Sequence, residues 1–441
     1  MNLRHSFRLL AFLAAFALCA RAAVEFPAAA QPQLTTTADG RVWLVYGSGN
    51  EIFVARSHDA GTTFAPPVRV GSLPALQLGM RRGPRIAVHG DHGVVTAMSG
   101  DFFAFRSADG GATWSEPVRV NDTADATREG LHDLAVGPDG RLFAVWLDLR
   151  AGPMQLGAAE SADHGATWSA NQVVYRSPEK AICTCCQPTA RFNARGDLAV
   201  MWRNDLAGNR DMWLAVRPAG TAAVRPAAKL GTGSWPIKGC PMDGGSLLLT
   251  LDDAFATLWQ RDGALYFARP GEPERRLAAG KQAVATATAR GPFAVWQQGA
   301  DLWSSALEAT AAPSLLAPAA RFASLIALPA SDRVLVAYEH GTSTIVTALS
   351  QSAPPLTSEK SPAEKTYPIR GVIVALDVEK STLRVKHEKI PGFMGAMTMQ
   401  FHANPAALKT LAVGQTITAT LHVENDEFWL REIRPVTTAA R

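Results

Sequence analysis

One histidine and three methionines near the C-terminus have the types and spacing of a soft-metal site. His387 precedes a Pro-Gly loop, and Met394, Met397 and Met399 follow that loop. On a β-strand, Met397 and Met399 point to the same face. Imidazole and thioether ligands suit Cu(I) and Ag(I) and suit hard cations poorly. The pattern predicts a Cu(I) site, and the competing interpretation is that the methionines fill a hydrophobic core.

Cysteines form a second candidate site. Cys183, Cys185 and Cys186 lie within four residues of sequence, and Cys240 is followed closely by Met242. Three interpretations stay open at this point. Cys240 could form a disulfide with one of the triplet, the thiolates could bind a soft metal with Met242 as a further donor, or two cysteines could form a redox pair. The C-x-C-C spacing is not a common zinc motif.

Composition and charge limit the class of protein. The chain has 441 residues, of which 47% are hydrophobic and 19% are charged, so it can form a large core and has little material for a polar tail. Three of the cations behind the formal charge of +4, Arg4, Arg8 and Arg21, lie in the first 22 residues. The remainder is nearly neutral, and we expect no nucleic-acid partner.

The N-terminus has the pattern of an export signal. A short basic region precedes an apolar run from Leu9 to Cys19, and Ala20-Arg21-Ala22 has the small residues that signal peptidase needs. We therefore expect residues 1–22 to be a signal peptide and the mature protein to be periplasmic, without a transmembrane span. An oxidising compartment is also what makes disulfides plausible for the four remaining cysteines.

An octapeptide repeat marks the first part of the chain. Its pattern is S-x-D-x-G-x-T-[WF], and the three copies lie at residues 57–64, 107–114 and 161–168. Ser and Asp side chains can accept hydrogen bonds from turn amides, glycine can take a positive φ, and the aromatic residue can pack against the sheet. The repeat resembles the Asp-box, or BNR repeat, of sialidases and related β-propellers. In that family the box joins the two outer strands of a blade and marks no active site.

A longer repeat predicts the number of blades. A β-rich segment ending in an aromatic residue or Met recurs at intervals of 37 to 57 residues, and its marker residues are Tyr46, Met98, Trp146, Trp202, Trp259, Trp296 and Tyr338. This spacing suits four short strands per blade. We expect an all-β fold with a seven-bladed propeller over residues 23–350, six blades being the alternative. Residues 23–30 would supply the missing strand of the last blade.

Blade geometry places the cysteines together. Loops that lead into the first strand of a blade share one face of a propeller with the loops between its second and third strands. The loops that lead into the fourth and fifth blades contain residues 183–188 and 239–245, respectively. We therefore expect all four cysteines to lie near one another on the face opposite the Asp-box turns.

The C-terminal part reads as a separate small barrel. Residues 351–365 are rich in Pro, Ser and charge, which is typical of a flexible linker. Residues 366–441 contain five alternating segments, at 371–378, 382–388, 397–403, 415–423 and 427–436. Five short strands in this length predict a closed OB-like β-barrel.

This segment resembles the CusF-type periplasmic copper-binding domain. The resemblance rests on the G-V-I-x-x-L-D opening, the K-H-E-x-I-P loop, the A-M-T-M-x-F strand and the L-x-V-G-Q-x-I stretch. It implies that His387, Met397 and Met399 are the copper ligands. One branch of the family has a Trp over the metal where this chain has Met394, so Met394 could ligate or cap the ion.

Three functional hypotheses follow, the third of which is a redox enzyme that uses the cysteine cluster. The leading one is an exported Cu(I)-binding protein for copper handling or tolerance, with another periplasmic copper protein as a partner and the propeller as scaffold, partner platform or second metal site. The alternative is a sialidase-like exo-glycosidase that carries an accessory metal module. Arg85, Arg203 and the Tyr338-Glu339 pair are the candidates for its catalytic parts.

Overall fold

A computed structural model of the chain describes residues 23–179, 181–222, 224–307, 312–328, 332–350, 365–378, 381–391, 393–424 and 427–436. The chain divides into two compact units, with the boundary after residue 352. The predicted signal peptide and nearly all of the predicted linker lie outside the described residues. Within the described part, no helix is long and apolar enough to cross a membrane.

The first unit is a propeller of seven antiparallel sheets with four strands each. Six blades use consecutive strands. The first blade contains β2 Ala30–Thr36, β3 Val42–Ser48, β4 Glu51–Ser57 and β5 Val68–Ser72. The second contains β6 Arg85–His89, β7 His92–Ser99, β8 Asp101–Ser107 and β9 Val118–Arg119. The third contains β10 His132–Val136, β11 Leu142–Asp148, β12 Gln155–Ser161 and β13 Gln172–Tyr175. The fourth blade contains β14 Thr189–Phe192, β15 Leu198–Arg203, β16 Met212–Arg217 and β17 Ala228–Lys229. The fifth contains β18 Gly245–Leu249, β19 Phe255–Arg261, β20 Ala264–Ala268 and β21 Arg275–Ala279. The sixth contains β22 Lys281–Thr288, β23 Gly291–Gln298, β24 Asp301–Ala306 and β25 Ser314–Ala317.

The seventh blade joins the two ends of the propeller. It contains β26 Ala320–Ala327, β27 Arg333–His340, β28 Ser343–Ser350 and the N-terminal strand β1 Ala23–Pro27. β1 pairs antiparallel with β28, from Ala23 opposite Thr347 to Pro27 opposite Ser343. The predicted closure by the N-terminal segment and the choice of seven blades are both confirmed.

The second strand of each blade supplies the core between blades. All seven marker residues of the long repeat lie on these strands and are buried. Trp146 packs with Phe102 of the preceding blade, and Trp296 packs with Leu258 of the preceding blade. The recurring large apolar residue is therefore what seals one blade against the next.

The Asp-boxes form the turns between the third and fourth strands of the first three blades. In each box the Ser hydroxyl hydrogen-bonds the Asp carboxylate, at 2.7 to 2.8 Å, and the Thr hydroxyl donates to the other carboxylate oxygen at 2.6 Å. The glycine donates its N–H to the Ser hydroxyl at 2.8 to 2.9 Å and has φ of 80° to 83°. These are the side-chain hydrogen bonds and the positive φ that the sequence predicts for the box.

The second unit is a closed five-stranded barrel in the order β29-β30-β31-β33-β32. Its strands are β29 Lys365–Asp377, β30 Thr382–His387, β31 Met397–Ala403, β32 Thr416–Glu424 and β33 Glu427–Pro435, and the short helix α1 spans Pro405–Leu408. β29 begins six residues before the predicted start at 371 because its first half pairs with β32 and its second half pairs with β30. One long strand with two partners closes the barrel.

Candidate functional site

The proposed copper ligands share the interior face of the barrel at one end. His387 ends β30 directly opposite Met397, the first residue of β31, and Met399 lies opposite Val385. Burial deepens along the inward side of β31, from Met397 at 53% exposure through half-buried Met399 to Phe401, which is fully buried. Cross-strand neighbours point to the same face, so the imidazole and two thioethers line the mouth of the barrel.

The backbone fixes the imidazole in one orientation. His387 Nδ1 lies 2.8 Å from the carbonyl oxygen of Glu388, and the N–H of Glu388 donates to the Arg370 carbonyl at 2.9 Å. A carbonyl oxygen only accepts, so Nδ1 carries the proton and Nε2 keeps its lone pair. Nε2 is buried and has no hydrogen-bond partner among the described residues. A ring nitrogen freed in this way fits a metal ligand, and the bond to Glu388 is the outer contact that metal-binding histidines use.

Gly371 allows two strands to meet at His387. It lies directly opposite His387 on β29. A Cβ at this position would lie 2.8 Å from the His387 Cα and 2.7 Å from the Lys386 carbonyl oxygen. Only glycine fits this approach without a backbone shift. The sequence signal was present, since this glycine opens the motif that resembles the CusF-type domain.

Met394 sits in the turn between the two ligand strands. Ile390 and Met394 form an isolated bridge, in which each N–H donates to the other's carbonyl, at 2.9 and 3.2 Å. Both Met394 and Met399 are half-buried and pack against the barrel core. The turn thus holds a third thioether side chain on the same core as Met399, and Phe393 beside it stacks on Tyr367 with ring centroids 4.4 Å apart.

The cysteines lie together, as the blade order predicts. Cys185 and Cys240 are joined by a disulfide, with Cα atoms 6.3 Å apart, whereas Cys183 and Cys186 are free and buried. The Sγ atoms of Cys183 and Cys186 are 3.3 Å apart, and Cys183 Sγ lies 3.7 Å from Cys185 Sγ. Met242 packs against this group. The structure thus combines one disulfide with one buried pair of thiols.

Arg210 contacts one of the two free thiols. Arg210 donates from Nη1 to Cys183 Sγ at 3.1 Å and forms an ion pair with Asp205 at 3.3 Å. The hydrogen bond with Cys186, together with Arg210, lowers the pKa of Cys183, whereas burial raises the pKa of Cys186. No sequence pattern pointed to Arg210, which lies in the loop between the second and third strands of the fourth blade.

A cavity of about 460 Å³ follows the axis of the propeller. Its lining includes Arg81, Arg85, Arg191, His132 and Asp133. The structure does not bring the candidate glycosidase residues together there, because Arg203 and the Tyr338-Glu339 pair are not part of its lining.

Those candidate residues have structural contacts instead. Arg203 is buried and donates to the backbone carbonyls of Asp243, Arg210 and Gln260. The Glu339 carboxylate accepts hydrogen bonds from Gln31 and Arg321.

Comparison with known families agrees with the geometry of the barrel. Residues 366–435 match a family model described as copper binding periplasmic protein CusF. The chain therefore joins a CusF-type domain to a seven-bladed propeller. The match supports copper binding by the C-terminal barrel. None of the curated proteins compared with the chain matches it.

Solved structures similar to the chain include two sialidases and one CusF. The Hadza microbial sialidase Hz136 is 17% identical, with a TM-score of 0.45 over 75% of this chain and 69% of its own. The NanB sialidase of Streptococcus pneumoniae is 10% identical, with a TM-score of 0.41 over 73% of this chain and 68% of its own. Apo-CusF from Escherichia coli is 17% identical, with a TM-score of 0.16, and the match covers 19% of this chain and 100% of apo-CusF.

Proposed function

We propose that this is an exported protein that binds Cu(I) in its C-terminal barrel and takes part in copper handling or tolerance in the periplasm. The observation that carries the proposal is His387 Nε2, which is buried without a hydrogen-bond partner in the described part of the chain and lies on the face that Met397 and Met399 share. Copper is the cargo of this site.

The donor set determines which ion the site prefers. One neutral imidazole and neutral thioethers add no negative charge, so they hold a soft monovalent ion better than a hard divalent one. Ag(I) should bind in the same way as Cu(I), and Mg²⁺ and Ca²⁺ should not compete. Met394 adds a further thioether from the turn, either as a ligand or as a cap over the ion.

The exposure of Met397 supports exchange of the ion with a partner. Its side chain is 53% exposed, whereas His387 is 2% exposed. An ion at this mouth is held from below by a fixed imidazole and remains open from above to the ligands of another copper protein. The propeller serves in this account as a scaffold or partner platform.

Titration of the full-length mature chain with Cu(I) against a chromogenic Cu(I) chelator tests the proposal, and every variant also carries Cys183→Ser and Cys186→Ser so that the buried free thiols do not bind the ion. The variant Met397→Ala with Met399→Ala should lose Cu(I) binding at the barrel while its circular dichroism and melting temperature stay close to wild type. Thr398→Ala is the matched control, because Thr398 lies between the two methionines on the outward face of the same strand. Equal Cu(I) affinity in the double variant and in the control would contradict the assignment.

The glycosidase alternative has less support. Of its candidate residues, only Arg85 lines the central cavity. Its guanidinium donates to the backbone carbonyls of Arg81, Gly83 and Pro84 and lies 3.9 Å from Asp133. No observation at the described residues favours this function over copper binding.

A further inference from the structure

The cysteine cluster of the fourth blade is a group of sulfur atoms that the copper barrel does not use. The Sγ atoms of Cys183, Cys185 and Cys186 all lie within 4.8 Å of one another. The loop is held by a bridge from Ile182 to Asn204 and by the Cys183 N–H, which donates to the Arg203 carbonyl at 3.0 Å. These backbone contacts with the end of β15 hold the three sulfur atoms close enough together to bind one ion.

The surroundings compensate negative charge on these sulfurs. Arg210 donates directly to Cys183 Sγ, and the buried guanidinium of Arg203 acts electrostatically on Cys186. Arg203 makes its hydrogen bonds to backbone carbonyls, so its charge is not neutralised by a carboxylate bonded to it. With Cu(I), two thiolates carry one net negative charge and three thiolates carry two, and the two neighbouring guanidinium groups stabilise this negative charge.

The burial of the two free thiols decides what can reach them. Cys183 and Cys186 are each 1% exposed, whereas Cys240 is exposed at the surface. A folded thiol-exchange partner is too large to approach the buried sulfurs, whereas a single ion is of the size that fits between them. The disulfide between Cys185 and Cys240 is open to a reductant from the Cys240 side.

The loop that carries Cys240 closes tightly over the cluster. A Cβ on Gly244 would lie 2.4 Å from the Gln187 carbonyl oxygen, so the backbone of this loop lies directly against the loop of the triplet. Met242, two residues earlier, packs against the cysteines. The same contact that brings Cys240 to Cys185 also brings a thioether to the cluster.

We propose that Cys183, Cys185 and Cys186 form a second soft-metal site, on the propeller, that binds Cu(I) and gains its third thiolate when the bond between Cys185 and Cys240 is reduced. An external dithiol supplies the two electrons: its sulfurs become a disulfide, the Cys185–Cys240 bond breaks, and each cysteine takes up a proton to become a thiol. Cu(I) then displaces one proton from each of the Cys183, Cys185 and Cys186 thiols, and the three protons pass to solvent. Closely spaced thiolates are the ligands that Cu(I) prefers over hard cations.

The test isolates this site in the full-length mature chain. His387→Ala, Met397→Ala and Met399→Ala are combined to silence the barrel, and all comparisons are made in that background. Cys240→Ser frees Cys185 permanently and gives three thiols, Cys185→Ser with Cys240→Ser leaves the pair of thiols, and Cys183→Ser with Cys186→Ser removes that pair. Cu(I) is kept reduced with ascorbate and titrated anaerobically against a chromogenic chelator.

The expected order of Cu(I) affinity follows the number of thiolates. The Cys240→Ser variant should bind Cu(I) at least about 10-fold more tightly than the variant with Cys185→Ser and Cys240→Ser. Loss of an outer-shell partner already costs about 10-fold in metal affinity, and loss of a direct ligand should cost no less. The Cys183→Ser, Cys186→Ser variant should lose the thiolate-to-Cu(I) ultraviolet absorption band. Equal affinities in these three variants would overturn the proposal.

A second measurement does not depend on the folding of any cysteine variant. In the barrel-silenced chain with its cysteines intact, Cu(I) should slow the alkylation of Cys183 and Cys186 by a small reagent under mildly denaturing conditions, in which the buried thiols open transiently. Mass spectrometry identifies the alkylated residues. Alkylation of both residues at the same rate with and without Cu(I) would contradict a metal site.

Discussion

His387 and Met397 lie directly opposite each other where β30 ends and β31 begins, and the barrel places both on its interior face. The two residues belong to different environments, since His387 is 2% exposed and Met397 is 53% exposed. The fixed end of the site is thus the imidazole, held through Nδ1 by the Glu388 carbonyl, and the open end is the thioether.

Replacing His387 with Ala should weaken Cu(I) binding by about 10-fold or more, because the site then loses its only imidazole. His402→Ala is the control: His402 lies on the same strand as the methionines, faces outward and stacks on Trp429 with ring centroids 5.0 Å apart. Affinity for Cu(I) is measured by chelator competition in chains that also carry Cys183→Ser and Cys186→Ser, so that only the barrel is compared. If His402→Ala weakened binding as much as His387→Ala, the ligand assignment would be wrong.

Phe26→Ala should destabilise the propeller by about 3 kcal/mol, as expected for a buried aromatic side chain. Phe26 lies on the closing strand β1, is 5% exposed, and packs on Tyr46 and Phe64 with centroids 5.7 and 5.5 Å away. Leu251→Ala is the control because Leu251 is 71% exposed. Urea unfolding measures both, and a Phe26→Ala variant as stable as the control would contradict closure by β1.

Asp163→Ala should lower the free energy of unfolding of the propeller by about 1 kcal/mol without changing Cu(I) affinity. The Asp163 carboxylate accepts hydrogen bonds from the Thr167 N–H, the Thr167 hydroxyl and the Ser161 hydroxyl. Asp163→Asn keeps an amide oxygen for part of this network and should fall between wild type and Ala. Glu116→Ala, at an exposed position, serves as the control. Loss of Cu(I) binding with unchanged melting would contradict a purely structural Asp-box.

Acid should destabilise the propeller in a window set by the Asp-boxes. The pKa of Asp59 and the pKa of Asp163 are each lowered from the ordinary 3.8 to about 2. The main cause is the hydrogen bond that each carboxylate accepts from a threonine hydroxyl, Thr63 for Asp59 and Thr167 for Asp163. In the unfolded chain these carboxylates take up protons near pH 3.8, while the folded state takes them up only near pH 2. The stabilisation is complete above that window and disappears as the pH falls through it.

Urea unfolding at about pH 5 and about pH 3 measures this loss. Asp59→Asn with Asp163→Asn should lose less stability between the two pH values than wild type does. An identical loss in the variant and in wild type would show that these carboxylates do not set the acid limit.

The sequence predicted the architecture well because its signals are repeated. Each of the seven marker residues serves the same packing role, so the regular spacing of Trp146, Trp202 and their equivalents gave the number of blades. The start of β29 was predicted too late because residues 365–370 contain Pro368, which cannot donate a ladder hydrogen bond and interrupts the strand pattern.

The sequence predicted which residues of each candidate site lie together, but it did not predict the contacts that orient them. Strand alternation places Met397 and Met399 on one face, but only the structure shows that the Glu388 carbonyl orients His387. Blade order brings Cys240 to the triplet, yet spacing cannot choose among three neighbouring cysteines, and the bond to Cys185 depends on where the loop holds each sulfur. Arg210 belongs to a separate loop, so its contact with Cys183 has no local signature.

X-ray absorption at the copper edge identifies the atoms that ligate the ion in the barrel. The measurement uses the full-length mature chain with Cys183→Ser and Cys186→Ser, loaded with one equivalent of Cu(I), so that the barrel is the main source of sulfur ligands. We expect a first coordination shell of thioether sulfurs with a single imidazole nitrogen, and we expect the variant with Met394→Ala, Met397→Ala and Met399→Ala to lose the sulfur contribution. A shell of nitrogen and oxygen alone, or a sulfur shell that persists in the methionine variant, would contradict the ligand assignment.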